Sequence, residues 1–98
     1  MFQVIISSKS SRDIKDLKKE GLINNNDLQV IKAWVKEMSL LGPQYISSCG
    51  YWNDHALKGK RSSERSSSFS ESGRIIYKIS KNKVTIRVVK ITPDHNYE

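Results

Sequence analysis

The sequence predicts an α+β fold in which two N-terminal helices pack on one face of a small, twisted antiparallel sheet. Three observations predict it: a short β-branched segment near the start of the chain, two stretches with helical apolar spacing, and two C-terminal segments in which apolar residues alternate. At 98 residues and 37% hydrophobic content, the chain is expected to form one domain, residues 1–98, with a modest core.

The first two predicted elements are a strand and a short helix. Residues 2–6 (FQVII) are rich in β-branched side chains and predict a strand. Residues 11–20 predict an amphipathic helix, because their few apolar side chains share one face. We expect Ser10 or Ser11 to be its N-cap and Gly21 to end it.

The second predicted helix has the clearest periodicity in the chain. Its apolar residues recur at steps of three and four: Leu28, Ile31, Trp34, Val35, Met38 and Leu41. Asn25 or Asn26 is the predicted N-cap. The helix is predicted to end at Gly42-Pro43, because proline lacks the N–H that a helix interior needs. Trp34 and Met38 are expected to lie in the core.

The middle of the chain lacks helical periodicity. Residues 43–60 predict a loop, in which Tyr51 and Trp52 are expected to pack onto the helices. Residues 62–72 contain seven serines, a composition typical of a flexible linker.

Two strands joined by a short turn are predicted towards the C-terminal end. Residues 75–79 and 84–91 are rich in β-branched side chains, and the four residues between them (SKNK) are typical of a hairpin turn. In the second strand, the alternation directs Val84, Ile86 and Val88 towards the helices and the residues between them to the other face. One face of the sheet is therefore left for solvent or a substrate.

Basic residues are concentrated in the second half of the chain. Residues 1–57 carry seven Lys/Arg and six Asp/Glu, whereas residues 58–98 carry ten and four. Between Ser72 and Pro93 there are six cations and no acid, which is typical either of a polyanion-binding surface or of a solvated face. No apolar run is long enough to cross a membrane, and the single Cys49 suits a reducing compartment. We therefore expect a cytoplasmic protein with no membrane partner.

The histidines and arginines point to one reaction that needs no cofactor. His55 and His95 have no Cys, His or acid at metal-ligand spacing, and no glycine-rich phosphate loop is present. No metal, nucleotide or other small-molecule cofactor is therefore expected. RNA cleavage by attack of the 2′-hydroxyl needs a base, an acid and a cation for the charge on the phosphorane. Two histidines with one or two arginines can supply these groups.

One set of motifs resembles a known family. Residues 54–59 (DHALKG), followed by Arg65, Phe69 and residues 74–79 (RIIYKI), resemble the core signature of the RelE/YafQ/YoeB toxins. These are ribosome-dependent mRNA endoribonucleases paired with antitoxins. The resemblance covers essentially the whole chain, although the N-terminal half matches only in pattern. It implies a RelE-like microbial RNase fold in which residues 62–70 are a strand rather than a linker.

The resemblance also implies roles for individual residues. His55 and His95 correspond to acid/base groups, and Arg65 and Arg74 to cations that hold the phosphate. The RNA-binding residues are expected to be Lys58, Lys60, Arg61, Ser68, Arg87 and Tyr97, with Tyr97 stacking on a base. The sequence departs from YafQ-like members at Ser68 and Ser72, where they have a histidine and an aspartate.

These roles imply a ribosome-dependent mRNA endoribonuclease toxin that cleaves by 2′-hydroxyl attack without a metal. Its expected partners are mRNA in the ribosomal decoding site and a cognate antitoxin that covers the basic face. Two alternatives stay open at this point: a non-catalytic protein that binds RNA or the ribosome, and a ParE-like toxin that inhibits gyrase. The two serines also leave open a toxin with altered or reduced activity.

Overall fold

The computed structural model describes residues 1–94, which form two helices and a five-stranded sheet. The strands are β1 (Gln3–Ile6), β2 (His55–Ala56), β3 (Arg65–Ser68), β4 (Arg74–Ile79) and β5 (Thr85–Thr92). The helices are α1 (Ser8–Lys19) and α2 (Asn25–Ser48), and short 3-10 turns span Gly50–Trp52 and Gly59–Arg61. The predicted α+β class is confirmed, and so is a strand within the serine-rich segment.

The strands lie in the order β1-β5-β4-β3-β2. The predicted antiparallel arrangement is confirmed for β2 to β5, whereas β1 pairs with β5 in parallel, with Gln3 opposite Thr85. β1 differs because it is not joined to β5 by a hairpin. The helices and the other strands lie between them in the chain, so no turn imposes an antiparallel direction.

The N-cap of α1 is Ser7, three or four residues before the predicted Ser10 or Ser11. The Ser7 side chain accepts a hydrogen bond from the Ser10 backbone N–H at 3.0 Å. Ser10 itself is fully buried, and its hydroxyl donates to the Val88 carbonyl oxygen at 3.1 Å. The prediction of Ser10 or Ser11 as cap is therefore wrong, because Ser10 instead attaches α1 to β5.

The second helix is longer than predicted. It begins with a capping box in which Asn24 and Asp27 exchange hydrogen bonds of 2.8 and 3.0 Å. Asn24 lies one or two residues before the predicted cap, Asn25 or Asn26. Gly42 interrupts the helix with a φ of 87°, but Pro43 starts a further helical segment that ends at Ser48. The predicted loop beginning at residue 43 is wrong at this point, because proline is well tolerated in the first turn of a helical segment.

The core lies between the helices and one face of the sheet. Trp34 and Met38 are fully buried, as predicted, and the Trp34 ring meets Tyr77 edge-on with 5.2 Å between ring centroids. Trp52 is also buried as expected, whereas Tyr51 is 70% exposed. The prediction for Tyr51 is wrong, because the 3-10 turn directs its side chain outwards. Among the described residues, neither helix combines the length and apolarity needed to cross a membrane.

A β-bulge in β5 decides which side chains face the core. Tyr77 pairs with Val88 and Ile76 pairs with Lys90, so Val89 is the extra residue. Strict alternation would send Lys90 into the core with Val88. The bulge instead turns Lys90 to the opposite face and brings Ile91 into the core. Predicted inward positions are confirmed for Ile86 and Val88, while Val84 precedes the strand and is 46% exposed.

Candidate functional site

The sheet face opposite the helices, which we call the open face, carries most of the candidate residues. Ile75 and Tyr77 lie in the core, so alternation directs Arg74, Ile76 and Lys78 to the open face. The strand register extends this face across the sheet. Its members are His55, Ser66, Ser68, Arg74, Ile76, Lys78, Arg87 and Lys90.

His55 lies on β2 at the edge of the sheet, in one row with Ser66, Ile76 and Lys90. Its Nδ1 atom is 3.3 Å from the carbonyl oxygen of Asn53, which adopts a left-handed conformation. A depression of about 290 Å³ beside His55 is lined by residues 55–58. The histidine and the Lys58 side chain therefore border one shallow site.

Arg74 lies on the same face, two strands away from His55. It is directly opposite Ser68 and is only 9% exposed. Its Nη1 atom donates to the Gly73 carbonyl oxygen at 2.9 Å, so part of the guanidinium is fixed to the backbone. Standard sheet spacings put the Cα atoms of His55 and Arg74 roughly 12 Å apart. The strand register therefore places the two residues on one face of the sheet.

Arg65 lies on the other face of the sheet. It pairs with Tyr77 across β3 and β4, which directs its side chain towards the helices. Its Nε and Nη2 atoms donate to Asp54 Oδ1 at 2.9 and 2.6 Å. The structure does not bring Arg65 to the face that carries Arg74, although the sequence analysis grouped them around one phosphate.

Asp54 is the centre of a buried polar cluster that the sequence analysis missed. Its side chain is fully buried, and its second oxygen accepts hydrogen bonds from Ser67 Oγ at 2.6 Å and from the Tyr77 hydroxyl at 2.5 Å. Burial raises the pKa of Tyr77, and the negative charge of Asp54 raises it further. Burial by itself lowers the pKa of Arg65, but the hydrogen bond and charge of Asp54 outweigh it and raise that pKa. The one sequence signal for Asp54 was its place directly before His55.

A cluster of cations lies at the β5 side of the open face. Burial lowers the pKa of Lys90, and so do its contact with Lys9 and the nearby charge of Arg61, while Asp13 acts in the opposite direction. The cluster joins α1, β5 and the Gly59–Arg61 turn. Sequence analysis missed Lys9, because α1 meets β5 only through the tertiary fold. Lys9 is paired with Asp13 at 3.2 Å, which offsets part of the repulsion among the three cations.

The other predicted residues have different positions. Lys60 and Arg61 are exposed on the Gly59–Arg61 turn, and Arg87 is exposed on the open face. Ser68 Oγ is buried and has no hydrogen-bond partner among residues 1–94. Ser72 Oγ donates to the Pro93 carbonyl oxygen at 3.0 Å. His95 and Tyr97 lie outside the described residues.

Several solved protein structures have a fold similar to that of this chain. No protein family and no curated protein matches the sequence. A metal-bound toxin from Helicobacter pylori superposes with a TM-score of 0.74 at 24% identity, covering 99% of this chain and 98% of the other. The DinJ-YafQ toxin-antitoxin complex of E. coli matches with a TM-score of 0.66 at 21% identity over 98% and 94% of the two chains. The YoeB/ParE toxin of Agrobacterium tumefaciens gives 0.69 at 13% identity over 92% and 95%.

The chain has the fold of the YafQ and YoeB toxins. The RelE-like architecture expected from the DHALKG and RIIYKI segments is thereby confirmed. At these sequence identities the YafQ/YoeB fold is shared, and the chemistry has to be argued from the residues of this chain. Within residues 1–94, no three His, Cys, Asp or Glu side chains are grouped so that they could hold a metal ion.

Proposed function

We propose that the chain is the toxin of a toxin-antitoxin pair and cleaves mRNA in the ribosomal decoding site. The observation that carries this proposal is the open face, where a histidine, a nearly buried arginine and a cluster of cations lie on one side of the sheet. The YafQ/YoeB fold supports the toxin class. The ribosome as the carrier of the substrate, a cytoplasmic location and a single toxin domain spanning residues 1–98 rest on the resemblance.

The proposed reaction is transesterification within the RNA backbone. A base removes the proton of the 2′-hydroxyl, the 2′-oxygen forms a bond to phosphorus, and the bond from phosphorus to the 5′-oxygen breaks. An acid protonates the departing 5′-oxygen, which leaves a 2′,3′-cyclic phosphate. We assign His55 and His95 to the base and acid, and Arg74 to the negative charge that develops on the phosphorane.

RNA binding is assigned to the cations around these groups. Lys90, with Lys9 and Arg61 close to it, is assigned to a phosphate of the RNA, whose negative charge would offset the repulsion among these cations. Lys58, Lys60 and Arg87 extend the contact to neighbouring phosphates, and Tyr97 is assigned to stacking on a base.

Arg65 receives a different role from the one expected. Its two hydrogen bonds to Asp54 support a positioning role, in which the ion pair holds the segment before β2 against β3 and β4. Arg65 then acts on the reaction only through the placement of His55, the next residue after Asp54.

The partner that neutralises the toxin is proposed to be an antitoxin protein. The DinJ-YafQ structure is a toxin-antitoxin complex, and the shared fold supports a comparable partner for this chain. The net charge of +7 favours an acidic partner.

A second function is favoured by one specific observation. The oxygen of Ser68 is buried and cannot replace a catalytic histidine, and Ser72 is bonded to backbone. A protein that binds RNA or the ribosome without cleaving it is therefore the main alternative. A ParE-like gyrase inhibitor is the other, because the YoeB/ParE toxin has the same fold.

Expression of the chain followed by primer extension on cellular mRNA tests these functions. We expect cuts positioned by codons with the wild type, and at least a hundredfold fewer with Arg74→Ala or His95→Ala. Lys32→Ala, an exposed change on α2, is the matched control and should cut like the wild type. Undiminished cuts in both site variants would reject the site. Growth arrest without cuts would support RNA binding, or gyrase inhibition if plasmid supercoiling also changes.

A further inference from the structure

A hollow that the proposed reaction does not use lies between α2 and the Gly50–Trp52 turn. Its volume is about 350 Å³. One wall is a single stripe of α2, because residues 29, 30, 33 and 37 fall on one side of a helix. No residue of the open face lines it. The lining consists of Gln29, Val30, Ala33, Glu37, Tyr51 and Trp52.

Glu37 provides a negative charge at a fixed position in this hollow. Its Oε1 atom accepts a hydrogen bond from the Trp52 indole N–H at 2.9 Å, and Trp52 is 1% exposed. The buried ring therefore anchors a carboxylate that is itself only half-buried. The Oε2 atom forms no hydrogen bond or ion pair within the described part of the chain. One oxygen is thus held in place, and the other is left for a ligand.

The charge of the hollow is opposite to that of the molecule. The chain carries 17 Lys and Arg residues and a net charge of +7, yet none of these cations lines the hollow. A carboxylate without a cation beside it attracts a positive ligand more strongly than one that is already paired. An anion, including a phosphate of RNA, would be repelled by Glu37. We therefore expect a positively charged ligand.

Tyr51 provides an aromatic surface in the same hollow. Its ring is 70% exposed and meets Trp52 edge-on, with 4.8 Å between ring centroids and an angle of 89°. This contact restricts the ring while most of its area stays open to a ligand. The face of an aromatic ring attracts cations, and a guanidinium suits it best, because this group is planar and more weakly hydrated than an ammonium.

The shape of the hollow indicates a cation on an aliphatic stem. Gln29 and Glu37 are eight residues apart, which is about 12 Å along a helix. Val30 and Ala33 lie between them, so an apolar strip separates the carboxylate from the Gln29 amide. A compact cation would occupy only the Glu37 end. The methylene groups of an arginine-like chain would also cover the strip.

We propose that this hollow binds a guanidinium group carried on an aliphatic chain. The guanidinium stacks on Tyr51 and donates a hydrogen bond to Oε2 of Glu37, while its stem packs on Val30 and Ala33. The group can come from a small alkylguanidine or from an arginine side chain of a polypeptide. In the second case, the Gln29 amide can bond to the peptide backbone beside that arginine. The proposal does not rest on the proposed function.

The test follows the Trp52 indole N–H of the full chain by NMR while n-butylguanidinium is added. We expect this resonance to shift saturably, with a dissociation constant in the millimolar range, while the indole N–H of Trp34 in the core does not shift. Glu37→Gln should weaken binding about tenfold, and Tyr51→Leu about fivefold. Glutamine still offers an oxygen to Trp52, so the anchoring hydrogen bond is kept.

Matched controls separate the site from general charge effects. Glu20→Gln removes the same charge from the exposed end of α1, and Tyr51→Phe keeps the ring without its hydroxyl. Both variants should bind n-butylguanidinium like the wild type. The n-butylammonium ion has the same stem and charge but should bind severalfold more weakly, because an ammonium is more strongly hydrated and cannot stack.

A blocked tripeptide with arginine between two glycines distinguishes the two sources of the guanidinium. Tighter binding of the tripeptide than of n-butylguanidinium, reduced by Gln29→Ala, would assign the hollow to an arginine of a polypeptide. Equal binding of both ligands, unchanged by Gln29→Ala, would assign it to a small molecule.

The absence of a saturable shift at Trp52 would overturn the proposal. So would a loss of affinity in Glu37→Gln no larger than that in Glu20→Gln, or equal binding of the guanidinium and the ammonium, since either result indicates unspecific charge attraction. RNA cleavage is measured on Glu37→Gln as well and should equal that of the wild type. A loss of cleavage there would contradict the separation of the hollow from the RNA site.

Discussion

Asp54 illustrates how one buried carboxylate can hold three strands together. A charged group without access to water is unfavourable unless it is fully hydrogen-bonded, and Asp54 receives four hydrogen bonds from three side chains. Two of these side chains belong to β3 and one to β4. Because Asp54 directly precedes His55, the same bonds also fix the start of the two-residue strand β2.

Replacing Asp54 by asparagine should therefore destabilise the protein. The amide removes the charge that Arg65 needs and turns one acceptor into a donor, so we expect Asp54→Asn to lower the free energy of unfolding by about 2–4 kcal/mol. Tyr77→Phe, which removes one donor, should lower it by about 1 kcal/mol. Urea unfolding measures both. Asp16→Asn on the exposed side of α1 is the control, and an equal effect there would contradict the importance of burial.

Lys90 should make stability depend on pH in a defined direction. Its pKa is lowered in the folded state, so the charged form is less favourable there, and this penalty disappears as the pH rises towards the ordinary lysine value of about 10.4. We therefore expect the urea midpoint of the wild type to increase as the pH rises towards that value. The urea midpoint of Lys90→Gln should not show this increase, and the variant should be at least as stable as the wild type at pH 7.

The pH series needs Lys36→Gln as its control, because Lys36 is exposed on α2. This control should retain the wild-type slope. Identical slopes for Lys90→Gln and the wild type would show that Lys9 and Arg61 do not act on Lys90 as the structure indicates.

At the scale of elements, the sequence predicted the helices and strands whose formation depends on neighbouring residues in the chain. The apolar spacing from Leu28 to Leu41 predicted α2, because a helix shows its buried face every three or four residues. Composition could not predict β3, since Ser66 and Ser67 are buried by their pairing with Ile76 and Ile75. That pairing depends on residues distant in the chain.

The kink in α2 yields a prediction about glycine. Gly42→Ala should lower the free energy of unfolding by about 2–4 kcal/mol, because the methyl group meets the Phe2 ring and the residue has a positive φ. Gly21→Ala is a matched control with a φ of +75° but nothing within 4 Å, and should cost about 1 kcal/mol. Thermal unfolding of both variants measures the difference. Equal losses would mean that the contact with Phe2 contributes nothing.

At the scale of the whole molecule, the sequence indicates which residues could form the candidate site but not how the fold arranges them. The alternation in β5 predicted that Arg87 faces away from the helices, and the strand register places His55 on the same face. The separation of Arg65 from Arg74 was not, because the face of each arginine depends on the register between β3 and β4. A shift of that register by one residue would exchange the two faces, and no local pattern reports it.

This two-sided arrangement predicts how RNA binding responds to salt. Arg87→Gln on the open face should weaken the binding of a single-stranded RNA and reduce the slope of log K against log salt concentration by about 1. Lys83→Gln removes the same charge from the turn between β4 and β5, and should change neither the affinity for RNA nor the slope. Fluorescence anisotropy over a salt series measures both slopes. Equal changes in the two variants would mean that RNA does not distinguish the two sides.

The position of β5 in the sheet affects when the protein can fold during its synthesis. It is the last strand within residues 1–94 but lies between β1 and β4, so β1 has no strand partner and β4 has only β3 until β5 has been synthesised. β5 also supplies three buried side chains of the core, those of Ile86, Val88 and Ile91. A nascent chain of this kind cannot complete its sheet before β5 has been synthesised. The timing of folding is therefore set by the synthesis of residues 85–92.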